Sequence, residues 1–278
     1  MTQTNTLLGY PDDARLLILN ADDFGMYDAI NAAILQTLAE GMVGSTSLMV
    51  PCPAAPQAMN LLRANPQIDF AVHLTLVRDL PNYQYAPLTS APSLTDENGS
   101  FYIDQDWNKV KSQVRLDDVE AEFRAQIETV LNNGLQPTHL DWHCLGNGGR
   151  PDIFDLTLAL AKEYRLALRV SPPHVEQVQS QGLPCVDYDL LDSFRVPTAE
   201  KPARYIQMLR DLPVGLTEWA VHPGLNTAEA QALDDGWPVR WADYKAFTSP
   251  EVHETIEKEG IILIRYRALQ EAWQNLSN

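Results

Sequence analysis

Two hydrophobic rhythms divide this chain: short unbroken apolar runs, and longer segments in which apolar residues return every three or four positions. The first kind predicts buried strands and the second amphipathic helices. The run at 16–20 is apolar almost throughout, so a strand covered on both faces is expected there. From 27 to 40, Ile30, Ile34 and Leu38 recur every four positions and predict a helix, with Gly41 just past its end as a C-cap. Strands are predicted at 45–50, stopped by Pro51, and at 69–76, with a helix at 54–64 between them.

The rhythm breaks at 77–116, where Pro81, Pro87, Pro92 and many aromatics accompany no sustained helical period. Asn98-Gly99, between Leu94 and Phe101-Tyr102, predicts a hairpin. A stretch this long is either a functional cover or a surface excursion, and its place directly after the 69–76 strand argues for a cover over a site. The pattern resumes with a stripe at Val119, Phe123, Ile127 and Leu131, N-capped by Asp117 or Asp118 and stopped at Asn133-Gly134. Strands are then predicted at 138–143, 167–170, 186–194, 216–221 and 261–266. Helices are predicted at 152–165, 199–211 and 250–258, the last opened by Ser249 as N-cap and Pro250 at N1. Eight strands separated mostly by helices predict a parallel α/β protein. A (β/α) barrel is the natural closure and a doubly wound open sheet the alternative.

Length and composition narrow this. The 278 residues, 45% apolar, suit a single domain over 1–278 with 77–116 as a loop insertion. A formal net charge of −17 repels phosphates and anionic surfaces, so neither nucleic acid nor membrane is expected as a partner. Cys52, Cys144 and Cys185 are odd in number and form no C-x-x-C pair, which predicts free thiols in a reducing compartment, the cytoplasm. The N-terminus lacks the basic-then-apolar pattern of a secretory leader, and no run approaches the ~20 apolar residues of a membrane span. No G-x-G-x-x-G or Walker A pattern is present, which removes dinucleotide and P-loop readings.

The candidate chemistry lies at strand ends. Four apolar runs finish in acidic or imidazole groups: Asp22-Asp23, His73 in FAVHLTL, Asp141 and His143 in THLDWHC, and His222 in EWAVHPG. Each alone has an ordinary explanation: a helix-capping aspartate, a core imidazole, a turn residue. Together, at the C-terminal ends of strands where barrel sites are built, they outline a metal site, since two histidines with a carboxylate are a familiar open ligand set. His139 lies deepest on its strand and reads as structural.

NADDFG, AVHLTL, THLDWH and EWAVHPG, in this order and at these separations, resemble the YdjC-like carbohydrate deacetylases, the family of chitooligosaccharide deacetylases. LTDENGSF, VRWADYKAFTSPEV and GIILIRYRAL extend the resemblance over nearly the whole chain, with gaps around 171–210. It implies a single distorted (β/α) TIM-like barrel that binds one divalent metal through Asp23, His73 and His143, with Asp22 as general base. The chain departs from many relatives after His143, where Cys144-Leu145-Gly146-Asn147-Gly148 replaces further histidines.

Metal-dependent removal of N-acetyl groups from a small amino sugar or oligosaccharide is the function this implies. His222 would protonate the leaving nitrogen, Asp141 would orient a ligand imidazole, and Trp142 would face the barrel wall. Zinc is favoured by mixed imidazole and carboxylate ligands, while an oxygen-rich shell would admit magnesium. Arg169, Tyr102, Trp107, Trp237 and Trp241 are candidates for contacting a small carbohydrate substrate, against a structural salt bridge, the favoured use, for Arg169 and packing for the aromatics, and the sequence leaves a homo-oligomer open. A metal phosphoesterase is disfavoured by the lack of clustered basic residues. A cysteine hydrolase using Cys144 and His143 is disfavoured because adjacent strand residues point to opposite faces. A non-catalytic carbohydrate-binding or regulatory protein on the same fold is the serious alternative.

Overall fold

The first apolar run becomes β1 (Arg15–Phe24), buried from Leu16 to Phe24. In the computed structural model, which describes residues 3–40 and 42–276, this strand organises the sheet; the expected cap at Gly41 lies outside the described residues. A short helix, α1 (Gln3–Leu8), precedes it. Then come α2 (Asp28–Ala39), β2 (Ser45–Leu48), α3 (Ala55–Ala64) and β3 (Asp69–Leu74), close to where the periodicity puts them. The middle of the chain supplies α4 (Trp107–Val110), α5 (Leu116–Asn132), β4 (His139–Trp142), α6 (Pro151–Glu163), β5 (Ala167–Leu168), α7 (Val175–Gln179) and β6 (Leu191–Asp192). The last third adds α8 (Lys201–Arg210), β7 (Gly215–Val221), α9 (Ala228–Leu233), α10 (Trp237–Phe247), α11 (Pro250–Lys258), β8 (Ile262–Leu263) and α12 (Tyr266–Leu276).

All ladders are parallel, in the order β5-β4-β3-β2-β1-β7-β6. β7 follows one edge of β1 from Arg15 to Ala21. On the other edge, β8 pairs with Leu16 and Leu17, and β2 with Asn20, Ala21 and Phe24. No ladder joins β5 to β6 among the described residues, so the expected distorted (β/α) barrel is a curled half-barrel rather than a closed ring. Parallel strands need helical crossovers, which cover the outer face and explain why β1, β3 and β7 are buried throughout or nearly so.

Several elements differ from expectation. The strand expected at 186–194 shrinks to Leu191–Asp192, because Asp187 bonds Leu216 through its backbone and carboxylate instead of extending a run. The strand at 261–266 shortens to Ile262–Leu263 and Tyr266 opens α12, whose inward residues Tyr266, Leu269 and Trp273 do have helical spacing. Neither Asp117 nor Asp118 caps α5: Arg115 is the N-cap residue, both aspartates sit in the first turn, and Asp118 accepts from the Ser93 N–H at 3.0 Å. Ser249 holds the N-cap position of α11, but its hydroxyl turns back to the Ala246 carbonyl. The Asn98-Gly99 hairpin forms, with Thr95 bridged to Phe101 and Gly99 in the left-handed region. Helix α10 shows no apolar stripe in the sequence because its buried face carries Arg240 and Asp243, with Phe247 the single apolar residue beside them.

Candidate functional site

A bulge in β1 creates the site. Ala21 pairs with Thr46 and Phe24 with Leu48, so β1 spends three steps where β2 spends two. In a regular strand Asp22 and Asp23 would face opposite ways; here Asp23 has φ 74°, a conformation aspartate tolerates better than most residues, and both carboxylates line one cavity. Gly25 follows at φ 95°, where a Cβ would press on Leu48 at 3.1 Å and on the Ala55 backbone at 3.2 Å. The cavity, of about 560 Å³, opens at the C-terminal ends of the strands.

Asp23 Oδ1 lies 3.1 Å from His143 Nδ1 and 3.4 Å from His73 Nε2, all three side chains being buried. The three donor atoms fall within 4.8 Å of one another, and one carboxylate with two imidazoles is a donor set suited to a divalent metal. His73 is fixed from behind: its Nδ1 meets Asp141 Oδ1 at 2.7 Å, and Ser47 donates to the other Asp141 oxygen at 2.5 Å. Burial pulls the His73 pKa down, but Asp141, Asp23 and Asp22 outweigh it and raise it to about 9.

Arg169, just past β5, holds the second aspartate. Its two terminal nitrogens meet the two Asp22 oxygens at 2.8 Å each, Nε reaches Glu218 at 2.8 Å, and Nη2 lies 3.1 Å from Asp141. Burial alone would raise the Asp22 pKa; the guanidinium overrides it and keeps the group below the usual carboxylate value, hence ionised at neutral pH. Glu218 moves the other way. Burial pushes it up to about 7, although Arg169 and the Tyr266 hydroxyl oppose the shift.

Across the cavity His222 follows β7, and its Nδ1 engages Ser193 Oγ at 2.9 Å. Its backbone N–H donates to Asp243 Oδ2 at 2.8 Å. Asp243 is held in turn by Lys201 and Tyr205, all three buried, so α8 and α10 together fix the backbone that carries His222.

The structure thus brings Asp22, Asp23, His73, His143, Arg169 and His222 to one cavity, with Asp141 directly behind. It does not bring Tyr102, Trp107, Trp237 or Trp241 to the cavity wall. Trp107 packs at Gly149, and Trp237 and Trp241 belong to α10 rather than to a loop, Trp241 stacking on Tyr244. Trp142 lines the cavity wall, yet its indole N–H donates to Thr157 of α6 and its ring packs near Phe154. His139 is a core residue, stacked on Tyr266 with centroids 3.4 Å apart, and burial lowers its pKa to about 3. The 77–116 segment lines the cavity at 79–82 and through Asp104 and Gln105, while the stretch between is tied to α5 by Glu122 and Asp118.

Sequence reasoning missed three groups. Arg240 clamps Asp23, Asp79 Oδ1 meets His143 Nε2 at 3.2 Å, and Ser193 engages His222; none carries a local signal, since each acts through a contact distant in sequence. It also misplaced Cys144. With φ 58° this residue leaves strand geometry, and its Sγ comes 3.3 Å from His143 Nε2 instead of pointing away.

A curled parallel α/β barrel with a buried carboxylate–imidazole centre at its strand ends defines the class of this protein. The chain belongs to the YdjC-like protein family, whose model matches residues 16–258. It is 34% identical to a carbohydrate deacetylase of Thermus thermophilus, the match covering 93% of this chain and 95% of that one. A carbohydrate deacetylase of Clostridium beijerinckii is 29% identical, with 90% and 98% covered. Among solved structures, a proposed cellobiose-phosphate cleavage protein of Enterococcus faecalis superposes with a TM-score of 0.80 at 30% identity, covering 92% of this chain and 99% of that one. No helix among the described residues is long and apolar enough to cross a membrane.

Proposed function

We propose that this protein is a metal-dependent hydrolase that removes N-acetyl groups from a small amino sugar or chitooligosaccharide. The observation that carries the reading is the convergence of Asp23, His73 and His143 beside an ionised Asp22, in a chain whose relatives are named carbohydrate deacetylases. Asp23, His73 and His143 would hold a divalent ion, zinc in preference to magnesium, which would supply carbonyl polarisation and a lowered water pKa. Asp22, oriented by both Arg169 terminal nitrogens, accepts the proton of the attacking water. His222, steadied at Nδ1 by Ser193, gives a proton to the departing sugar nitrogen. Asp141 fixes the ring of His73. The working unit is one domain with 77–116 as an insertion that contributes cavity wall, and the three unpaired cysteines support a cytoplasmic location.

The test is acetate release from N-acetyl sugars and chitooligosaccharides by protein loaded with a series of divalent metals. Release that depends on metal is expected. No release from any N-acetyl sugar with any metal would overturn the reading.

A second reading draws on the line Cys144 Sγ, His143 Nε2, His143 Nδ1, Asp23 Oδ1, the arrangement of a cysteine acyl hydrolase. It leaves Asp22, His73, Asp141 and His222 without work, which is why the metal reading is preferred. Chelation should abolish activity and thiol alkylation spare it; the reverse pattern identifies Cys144 as the nucleophile.

A further inference from the structure

Five large apolar side chains stand exposed among the described residues: Leu88, Leu116, Phe194, Val214 and Ile262. Only Phe194, 40% exposed, lines the cavity. An aromatic ring left in water at the mouth of a polar site forgoes burial that would stabilise the fold, so its orientation matters.

That orientation is fixed from several sides. The backbone N–H of Phe194 donates to Asp192 Oδ1 at 2.9 Å. The Arg240 guanidinium carbon lies 5.2 Å from the ring centroid, and His222 meets the ring edge-on at 4.8 Å. At Gly236 a Cβ would stand 2.9 Å from the ring, so the missing side chain makes room for it. Asp192, Asp235 and the exposed Arg195 line the same cavity. The result is an oriented apolar plate in a cavity that also carries hydrogen-bonding groups, beside the proposed proton donor.

A pyranose matches this chemistry. One face of the ring presents C–H bonds that pack on an aromatic π surface, while its rim carries hydroxyls that pair with carboxylates and a guanidinium. A purely apolar ligand would leave the surrounding charges desolvated and unpaired. We infer that Phe194 is the stacking platform of a pyranose subsite, receiving the sugar ring whose amide nitrogen meets His222. This rests on the deacetylase reading and specifies how it selects carbohydrate.

The experiment compares Phe194→Ala and Phe194→Trp with the parent protein in two assays. In the first, kcat and KM for acetate release are measured separately on di-N-acetylchitobiose and on N-acetylethanolamine, an amide without a sugar ring. Phe194→Ala should raise KM for the disaccharide about tenfold, with kcat changing less, and should leave KM for the ringless amide unchanged. Phe194→Trp should restore the disaccharide KM. An unchanged disaccharide KM in Phe194→Ala, or an equal rise for both amides, overturns the subsite while the deacetylase reading stands. In the second assay, disaccharide binding is measured by calorimetry in an Asp22→Asn background, where turnover is not needed. Binding weakened by Phe194→Ala in a parent protein that releases no acetate keeps the subsite and overturns the deacetylase reading; binding that is absent, or indifferent to Phe194, overturns the subsite.

Discussion

Arg240 Nη1 lies 2.7 Å from Asp23 Oδ2, joining a helix in the last third of the chain to the end of its first strand. The same guanidinium reaches Asp234 through Nε at 2.6 Å, and Tyr27 donates to that Asp234 oxygen at 2.9 Å. One oxygen of Asp23 is thereby committed to the fold, and the other faces the two histidines. The charge on Asp23 is sustained by this arrangement: burial would raise its pKa, and Arg240 and the histidines hold it well below the usual carboxylate range.

Removing Arg240 should therefore be costly. Arg240→Ala leaves two buried carboxylates without their cation and should destabilise the protein by about 3–5 kcal/mol in denaturant unfolding. Arg240→Lys should rescue little, because a single ammonium cannot reproduce the fork that spans Asp23 and Asp234. A loss below ~1 kcal/mol for the alanine variant, the range of an exposed pair, would show that the pair contributes little.

Metal content gives the next check. The parent protein should hold ~1 divalent ion per chain, and His73→Ala and His143→Ala should each lose it in elemental analysis. Chelation should leave the far-UV circular dichroism unchanged, since the ligands cap strands whose apolar core does not depend on them. Full occupancy in either variant would remove that histidine from the ligand set.

The two proton-transfer roles should fail differently. Asp22→Asn keeps shape and reach but cannot take a proton, so metal should stay bound while turnover falls by roughly 10²–10⁴. His222→Ala should be severe on an N-acetyl sugar and mild on an activated ester whose leaving group needs no proton. Equal losses on both substrates would count against the acid role, and near-normal turnover in metal-loaded Asp22→Asn would return Asp22 to a turn-capping role.

Glu218 should impose a pH dependence on stability. Three carboxylates, Asp22, Asp141 and Glu218, share Arg169, and Glu218 is the one whose pKa rises, to about 7. A carboxyl with a folded pKa above its unfolded value binds more protons in the folded state. Its stabilising effect is complete below the unfolded value near 4.5 and is lost as pH rises toward 7. Relative to Glu218→Gln, the parent protein should lose on the order of 3 kcal/mol between pH 4.5 and 7 in chemical denaturation. Parallel stability curves for the two proteins would mean that folding does not raise the Glu218 pKa.

The sequence by itself determined the parallel α/β plan and the clustering of acid and imidazole at strand ends. Both follow from local pattern: apolar runs buried on two faces, helices of regular period, and Asp22, Asp23, His73, Asp141, His143 and His222 at the ends of strands. Tertiary structure decided what those groups do to one another. A one-residue bulge, not alternation, turns Asp22 and Asp23 into the same cavity, and a left-handed Cys144 comes back to His143. Helix α10 escaped the pattern because two of its three buried positions are Arg240 and Asp243, leaving Phe247 alone as an apolar one; the two charges are sustained by partners such as Asp23, Lys201 and the His222 backbone. The exposed aromatic at the cavity is Phe194, with Trp142 buried in the wall and Trp107, Trp237 and Trp241 packed elsewhere, since exposure depends on what packs around a ring and not on its size. Periodicity registers whether a face is apolar; charge pairing across 217 residues, from Asp23 to Arg240, leaves no period to read.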